Sequence, residues 1–227
     1  MVNRAGQRFC NESGDYDTVW RSSFNWHNQG DENKYGYVNL PAWLIADQAM
    51  VDTIGFDYDR SGSKPGEVPD FFAVADTIEE LAEELGIDPE GPPATVERFN
   101  GFVDNLDDED FHRGETWLDR RLGTDSKAND ASATLGYIKT PPFYGAKMMP
   151  GDIGTCGGAR INENGQVIHA MSEQPIARLC ASGNCAGLGA PGTNYTGSGS
   201  TLGSGITFVY VACRHMNDLQ PWEQGGS

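Results

Sequence analysis

The sequence predicts a mixed α/β (α+β) fold on three observations. A capped amphipathic helix lies in its first half, and a hairpin signal lies in its second. Near the C-terminus, a glycine-rich turn runs into an apolar helix. Residues 1–60 are irregular in pattern and rich in aromatics, among them Trp20, Phe24, Trp26 and Trp43, and within them Ala42–Asp47 reads as a buried strand. The helix over residues 77–87 follows from Thr77 as its cap, Glu80 at the capping-box position and Gly86 as its stop. Ile78, Leu81, Ala82 and Leu85 line its inward face. A second helix is predicted over residues 95–104, with Val96, Phe99, Phe102 and Val103 inward, and an acidic, turn-rich stretch over residues 104–110 follows. Residues 142–147 read as a strand entering the glycine-rich residues 150–158. Residues 159–162 and 166–169 flank the turn Glu163-Asn164-Gly165 as a hairpin. Residues 176–184 read as a buried strand running into a loop.

Composition narrows the function. A chain of 227 residues can bury the core of one large or two small domains. A net charge of −17, with an isoelectric point near 4.4, argues against nucleic acid or an anionic membrane as partner. No apolar run approaches the roughly 20 residues of a membrane span. The first residues lack the apolar core of a signal peptide, so the cytoplasm is the expected location. Cys10, Cys156, Cys180, Cys185 and Cys213 are odd in number and lack metal-site spacing, so buried free thiols and no metal are expected. Glycines and prolines punctuate the whole chain, and only residues 223–227 read as a disordered tail.

The chemistry concentrates in Asn194-Tyr195-Thr196-Gly197-Ser198-Gly199-Ser200-Thr201-Leu202-Gly203. The glycines allow a ligand to approach the main chain. A helix starting near Ser200 or Thr201 would point unpaired N–H groups and a positive dipole end over the turn. That arrangement can polarise a carbonyl oxygen, with the Tyr195 hydroxyl alongside. The upstream Gly187-Leu188-Gly189-Ala190-Pro191-Gly192 matches GxGxxG but is a decoy, because Pro191 interrupts the helix start and too little chain remains for a βαβ unit.

Several segments taken in order carry a family resemblance. They include Val2-Asn3-Arg4, Arg8-Phe9, Asn11-Glu12, Arg98-Phe99-Asn100, Asp110-Phe111, Arg113-Gly114 and Pro142-Phe143-Tyr144. Pro150-Gly151-Asp152-Ile153-Gly154-Thr155, Ala181-Ser182-Gly183-Asn184 and the Tyr195 to Gly199 turn continue the series. Through nearly its whole length the chain resembles the C-terminal half of the 3-ketosteroid dehydrogenases, within the wider flavoprotein group that includes fumarate reductase. The resemblance implies an inserted catalytic (cap) domain over residues 1–148. Residues 149–227 would then be the C-terminal part of a Rossmann-like FAD-binding domain. The N-terminal half with the true dinucleotide fingerprint is absent, so FAD binding is expected to need a second polypeptide. Met1 fits a natural start, which favours one subunit of a split, hetero-oligomeric enzyme over a fragment.

Roles follow from the same resemblance. Tyr195 and the Gly199 N–H look like the pair that binds the substrate's carbonyl oxygen as an oxyanion hole. Tyr16, which follows Asn11-Glu12, is the candidate base, with Tyr35, Tyr37 and Tyr144 as fallbacks. A tyrosine with a pKa near 10 needs a neighbour that favours its phenolate, and that help would come from the partner. Gly183, Asn184, Ala186, Gly199, Ser200, Thr201 and Leu202 look like flavin contacts. Flavin N5 would then accept hydride from the substrate's β-carbon. Residues 187–203 contain no Arg, Lys or His, and Arg178 and Arg214 lie outside, which disfavours a dicarboxylate. A hydrophobic cyclic ketone is expected, steroid or otherwise. An enone or fumarate-type reductase running the reverse reaction, and a non-catalytic subunit, stay open as alternatives.

Overall fold

The structure, a computed structural model, describes residues 1–28, 35–56, 68–121, 123, 125, 127–151, 154–155, 157–187 and 199–218. The chain separates into two compact units, Met1–Gly14 with Thr18–Pro150, and Asp15–Asp17 with Gly151–Ser227. The aromatic N-terminal region, expected to be irregular, forms helix α1 (Tyr16–Ser23) and a short antiparallel ribbon of β1 (Trp26–Asn28) and β2 (Tyr35–Tyr37). Asp17 in the first turn of α1 and Arg21 in its last complement the helix dipole. The elements β3 (Ala42–Asp47), α2 (Gln48–Ile54), β4 (Phe72–Ala75), α3 (Ile78–Leu85), α4 (Gly91–Asn105), α5 (Trp117–Arg121) and β5 (Phe143–Met148) follow.

These strands make an antiparallel sheet in the order β3, β5, β4. Helix α3 lies on its central strand so closely that a Cβ at Gly145 would sit 2.5 Å from Leu85 Cδ1. Trp43, Ile45, Ile78, Leu81, Val96 and Phe143 form the core between them. Thr77 Oγ1 accepts the Glu80 amide at 3.1 Å, and Gly86, left-handed at φ 68°, closes the helix. Helix α4 starts at Gly91 rather than residue 95. Pro92 and Pro93 belong to its first turn, where a missing N–H is harmless and the fixed φ suits the helix.

Two buried acidic residues organise this unit. Asp47 caps α2 through the Met50 amide at 3.0 Å, while its other oxygen accepts the Lys139 and Thr140 amides at 3.0 Å each. Asp108, from the stretch expected to be only an acidic turn, accepts from Arg8 at 2.8 Å and from the Arg113 amide at 3.1 Å. Arg8 also forks onto Glu12, with its Nη2 2.9 Å from Oε2, and Arg113 Nη1 reaches the same carboxylate at 3.1 Å. Phe99 and Phe111 sandwich the Arg8 guanidinium at 5.1 and 5.0 Å. Burial alone would raise the Glu12 pKa, but the Met1 amino group, Arg8 and Arg113 outweigh it and hold the carboxyl well below the usual range. Burial pushes the Cys10 thiol up to about 11, so Cys10 stays protonated.

The second unit contains β6 (Gln166–Ile168), β7 (Pro175–Cys180) and α6 (Ser200–Asp218). The expected turn forms, with Gly165 at φ 75° and Asn162 Oδ1 accepting the Asn164 and Gln166 amides at 3.0 Å each. Strand β6 pairs antiparallel with β7, and Ile161 bridges Val167. Ile161, Val167 and Ala186 form a small core joined by Ile176, Ala181 and Phe208. Strand β7 was expected to be buried, yet most of it is exposed. A two-stranded ribbon has faces to cover, and this small core reaches β7 only through Ile176. Among the described residues no helix is long and apolar enough to cross a membrane.

Leu81→Ala should cost about 2–5 kcal/mol in urea unfolding, because the side chain it truncates is fully buried. Glu12→Gln should cost about 3–5 kcal/mol, since two guanidinium groups lose their shared partner. A depressed carboxyl stabilises the fold above its unfolded value of about 4.3, and this contribution is lost as pH falls through the folded value. Stability of the native protein should therefore fall below about pH 4. The Gln variant should show a flatter acid limb.

Candidate functional site

The second unit brings several of the candidate residues to the start of α6. Gly199 has φ 90°, a conformation L side chains rarely adopt, and a Cβ there would meet nothing within 4 Å. Its carbonyl accepts the Gly203 amide at 2.7 Å, which closes the first turn of the helix. The first-turn amides of a helix have no acceptor within it, so this end carries the positive pole.

A one-turn 3-10 helix, Gly183–Cys185, packs against the same end. Ser182 Oγ donates to the Gly205 carbonyl at 2.6 Å. A Cβ on Gly183 would stand 3.6 Å from Gly205 Cα, and one on Gly205 would stand 3.6 Å from Gly183 Cα. Both are ordinary van der Waals distances, so what Gly183 supplies is its left-handed backbone at φ 58°. A third segment joins them. Gly157 donates to the Asn184 carbonyl at 3.3 Å, and a Cβ at Gly158 would collide with the Cys185 carbonyl oxygen at 1.9 Å. The resulting surface is mostly backbone and uncharged, with the Asn184 amide and the helix pole as its polar features. It can hold the electron-rich polar edge of a planar ligand. Ser182, Gly158 and Gly205 support this surface and were not singled out by sequence reasoning. The signal for Gly205 was its spacing within Gly199, Gly203 and Gly205, otherwise an unusual cluster for a helix start.

The remaining candidates are placed as follows. Ser200, Thr201 and Leu202 form the first turn of α6, with Leu202 exposed. Ala186 turns its methyl into the core beside Ile161 and Val167, so it can offer a ligand only its backbone. Tyr195 lies outside the described residues, as does most of the GxGxxG decoy. Tyr16 opens α1, is 43% exposed, and with Asp17 groups with the second unit, while α1 from Thr18 onward belongs to the first. Of its fallbacks, Tyr37 stacks edge-on with Phe24 at 5.5 Å. Tyr144 is buried and donates to Gln48 Oε1 at 2.5 Å, and burial and then the Asp52 charge raise its pKa. The side chain of Tyr35 lies outside the described residues.

A cleft of about 540 Å³ in the first unit is lined by Arg8, Glu12, Phe99, Arg113 and Ile138 among others, and by none of the candidates. Its charged floor is already paired internally.

A model of the FAD binding domain family matches residues 1–202. The chain is 39% identical over 230 residues to the 3-oxosteroid 1-dehydrogenase of Mycobacterium tuberculosis, covering 96% of this chain and 38% of that protein. It is 36% identical over 214 residues to the 4-oxocyclohexanecarboxylate 2-dehydrogenase of Sinomonas cyclohexanicum, covering 94% of this chain and 36% of that protein. Among solved structures, it is similar to the 3-ketosteroid delta1-dehydrogenase from Sterolibacterium denitrificans in complex with 1,4-androstadiene-3,17-dione. That match has a TM-score of 0.72 at 29% identity and covers 95% of this chain and 38% of the other. The chain thus spans well under half the length of these relatives.

Gly183→Ala introduces no clash, so its cost should come from the left-handed backbone, about 1–2 kcal/mol. Ser182→Ala should cost about 1 kcal/mol through the lost bond to Gly205. Thermal unfolding of each variant measures both, and an unchanged midpoint for Gly183→Ala would show that the turn can relax out of its conformation.

Proposed function

The chain belongs to the FAD binding domain family, and from that premise we propose that it forms the substrate side and C-terminal segment of a flavin-dependent ketone dehydrogenase. FAD is the cofactor of the family. The observation that carries the reading is the meeting of Gly183–Cys185 with the N-terminus of α6, sealed by Ser182 and the facing pair Gly183 and Gly205. That surface suits the pyrimidine edge of a flavin. The helix pole favours its electron-rich oxygen, Asn184 offers an amide, and bare glycine backbone permits close approach. Gly183, Asn184, Ser200, Thr201 and Leu202 would hold it, with Ala186 contributing backbone alone. Residues 1–148 act as the catalytic cap and residues 149–227 as the returning part of the FAD-binding domain. The division between Pro150 and Gly151 supports this assignment. A second polypeptide supplies the rest of the fold.

The chain's own residues then divide the work. The Gly199 amide and the Tyr195 hydroxyl donate to the ketone oxygen, and the positive end of α6 adds to the field there. Charge that develops on that oxygen as the α-proton leaves is thereby stabilised, by about a hundredfold or more per donor. Tyr16, held as its phenolate by a neighbouring group outside this chain, accepts the α-proton. FAD, when bound, supplies the acceptor for the β-hydride. The absence of cationic side chains from residues 187–203 suits a neutral cyclic ketone, a 3-ketosteroid or a cyclohexanone derivative.

Tyr195→Phe in the flavin-loaded complex should lower kcat/KM for a cyclic ketone by about a hundredfold while flavin absorbance is retained. Unchanged turnover would refute the carbonyl-binding role. Tyr16→Phe should slow turnover by about 10²–10⁴-fold and abolish exchange of the substrate's α-hydrogen with deuterated water. Exchange at the native rate would assign the base elsewhere.

A further inference from the structure

Sequence reasoning expects buried thiols, yet of the described cysteines only Cys10 is buried. Cys180 is half-buried, Cys185 and Cys213 are exposed, and all four are free. Two of them are brought together where the hairpin meets α6. Gly183 stands beside Gly205, and Ser182 Oγ holds the Gly205 carbonyl. One residue back, the Ala181 amide donates to the Gly165 carbonyl at 3.0 Å, and a Cβ at Gly165 would stand 3.1 Å from the Ala212 Cβ. From residue 183 back to residue 181 the neighbours on α6 thus advance from Gly205 to Ala212, about two turns. The next residue back is Cys180, which pairs with Gln166 beside Gly165, and the next residue of α6 is Cys213. Burial and then the neighbouring Cys213 raise the Cys180 pKa, which marks the two sulfurs as electrostatic neighbours.

We propose that Cys180 and Cys213 form a reversible disulfide that straps α6 to the hairpin, with a low-molecular-weight disulfide such as oxidised glutathione as the oxidant. The proposal stands apart from the dehydrogenase reading. Cys213, the exposed member, attacks as its thiolate. It forms a mixed disulfide with one glutathione and releases the other as a thiol. Cys180 loses its proton, attacks the Cys213 sulfur and expels the second glutathione thiol. Two electrons pass from the two cysteines to the glutathione disulfide, and reduction by excess thiol runs the same steps backwards. Geometry excludes the other pairings among the described thiols. Cys185 lies beyond Gly183, level with the first turns of α6, and so about 12 Å or more along the axis from Cys213. Cys10 belongs to the first unit and is buried. The strap closes a loop that contains Ser182, Gly183 and the first turn of α6. It therefore secures a contact that the small core of Ile161, Val167 and Ala186 holds only thinly.

The test incubates the full chain with oxidised glutathione, blocks the remaining thiols with N-ethylmaleimide and maps the peptides by mass spectrometry. The dominant linked peptide should join Cys180 to Cys213 within one chain, and dithiothreitol should release it. In Cys180→Ser the link should be absent and Cys213 should carry glutathione instead. In Cys213→Ser, Cys180 should be modified at least tenfold more slowly than Cys213 is in the native chain. Amide hydrogen exchange in the C-terminal half of α6 should slow about tenfold on oxidation of the native chain and stay unchanged in either variant. Dibromobimane, which fluoresces once it bridges two thiols, reads the same pair without an oxidant and should lose its signal in both variants. Glutathione retained on Cys213 of the native chain with no linked peptide would overturn the proposal. So would a dominant link from either cysteine to Cys185, Cys156 or a second chain, or an oxidised native chain whose α6 exchanges as fast as the reduced one.

Discussion

The Glu12 carboxylate, shared between Arg8 and Arg113, is the interaction on which the first unit depends. Arg8 carries the bond on to Asp108, and Asp108 in turn accepts main-chain amides from Asp110, Phe111 and Arg113. Two carboxylates meet three cationic groups, the Met1 amino group among them, beside Phe99 and Phe111. Each would be costly there alone, and together they tie the N-terminal segment to the loop after α4. Glu12 lies between Asn11, whose amide reaches Asp119 at 3.2 Å, and Ser13, whose hydroxyl bonds Thr134, so the segment is tied down on both sides of the cluster.

The second unit achieves its geometry by the opposite means. Where the first unit uses charge pairs and bulky side chains, this one removes side chains. Gly158 lets main chain approach main chain at a distance no Cβ would permit, and Gly183 supplies a left-handed turn beside Gly205. The cost is a thin core, since Ile161, Val167 and Ala186 give the hairpin little to bury. One side of α6 and much of β7 are left facing outward.

Much of this organisation was legible in the chain. Thr77, Glu80 and Gly86 bracket α3 because capping is local chemistry, with partners three or four residues apart. The Glu163-Asn164-Gly165 turn was readable for the same reason. Helix α4 was legible in its apolar face but not in its start, which lies at Gly91 with Pro92 and Pro93 in the first turn rather than at residue 95. Helix α2 and strand β4 left weak periodic signals. Asp108 looked like one more acid in a solvated turn, and its burial is decided by Arg8, 100 positions away in sequence. Of the candidate site, Gly199 through Leu202 and Gly183 with Asn184 were named from sequence; Ser200 to Leu202 open α6, and Gly183 lies beside Gly205 of the same helix. Ala186 was named as well, but it faces inward. Tyr195 lies outside the described residues.

By itself the sequence determined what local chemistry can determine: the helix caps, the hairpin turn, the uncharged glycine-rich start of the last helix and the resemblance carried by ordered motifs. Only the tertiary structure decided which distant groups meet. It set Ser182 on the Gly205 carbonyl, closed Arg8, Glu12, Arg113 and Asp108 into one cluster, and turned one apolar face of α6 inward and the other out. The physical reason is range. Caps and turns are satisfied within a few residues, whereas burial and charge pairing are settled by neighbours that only folding brings together.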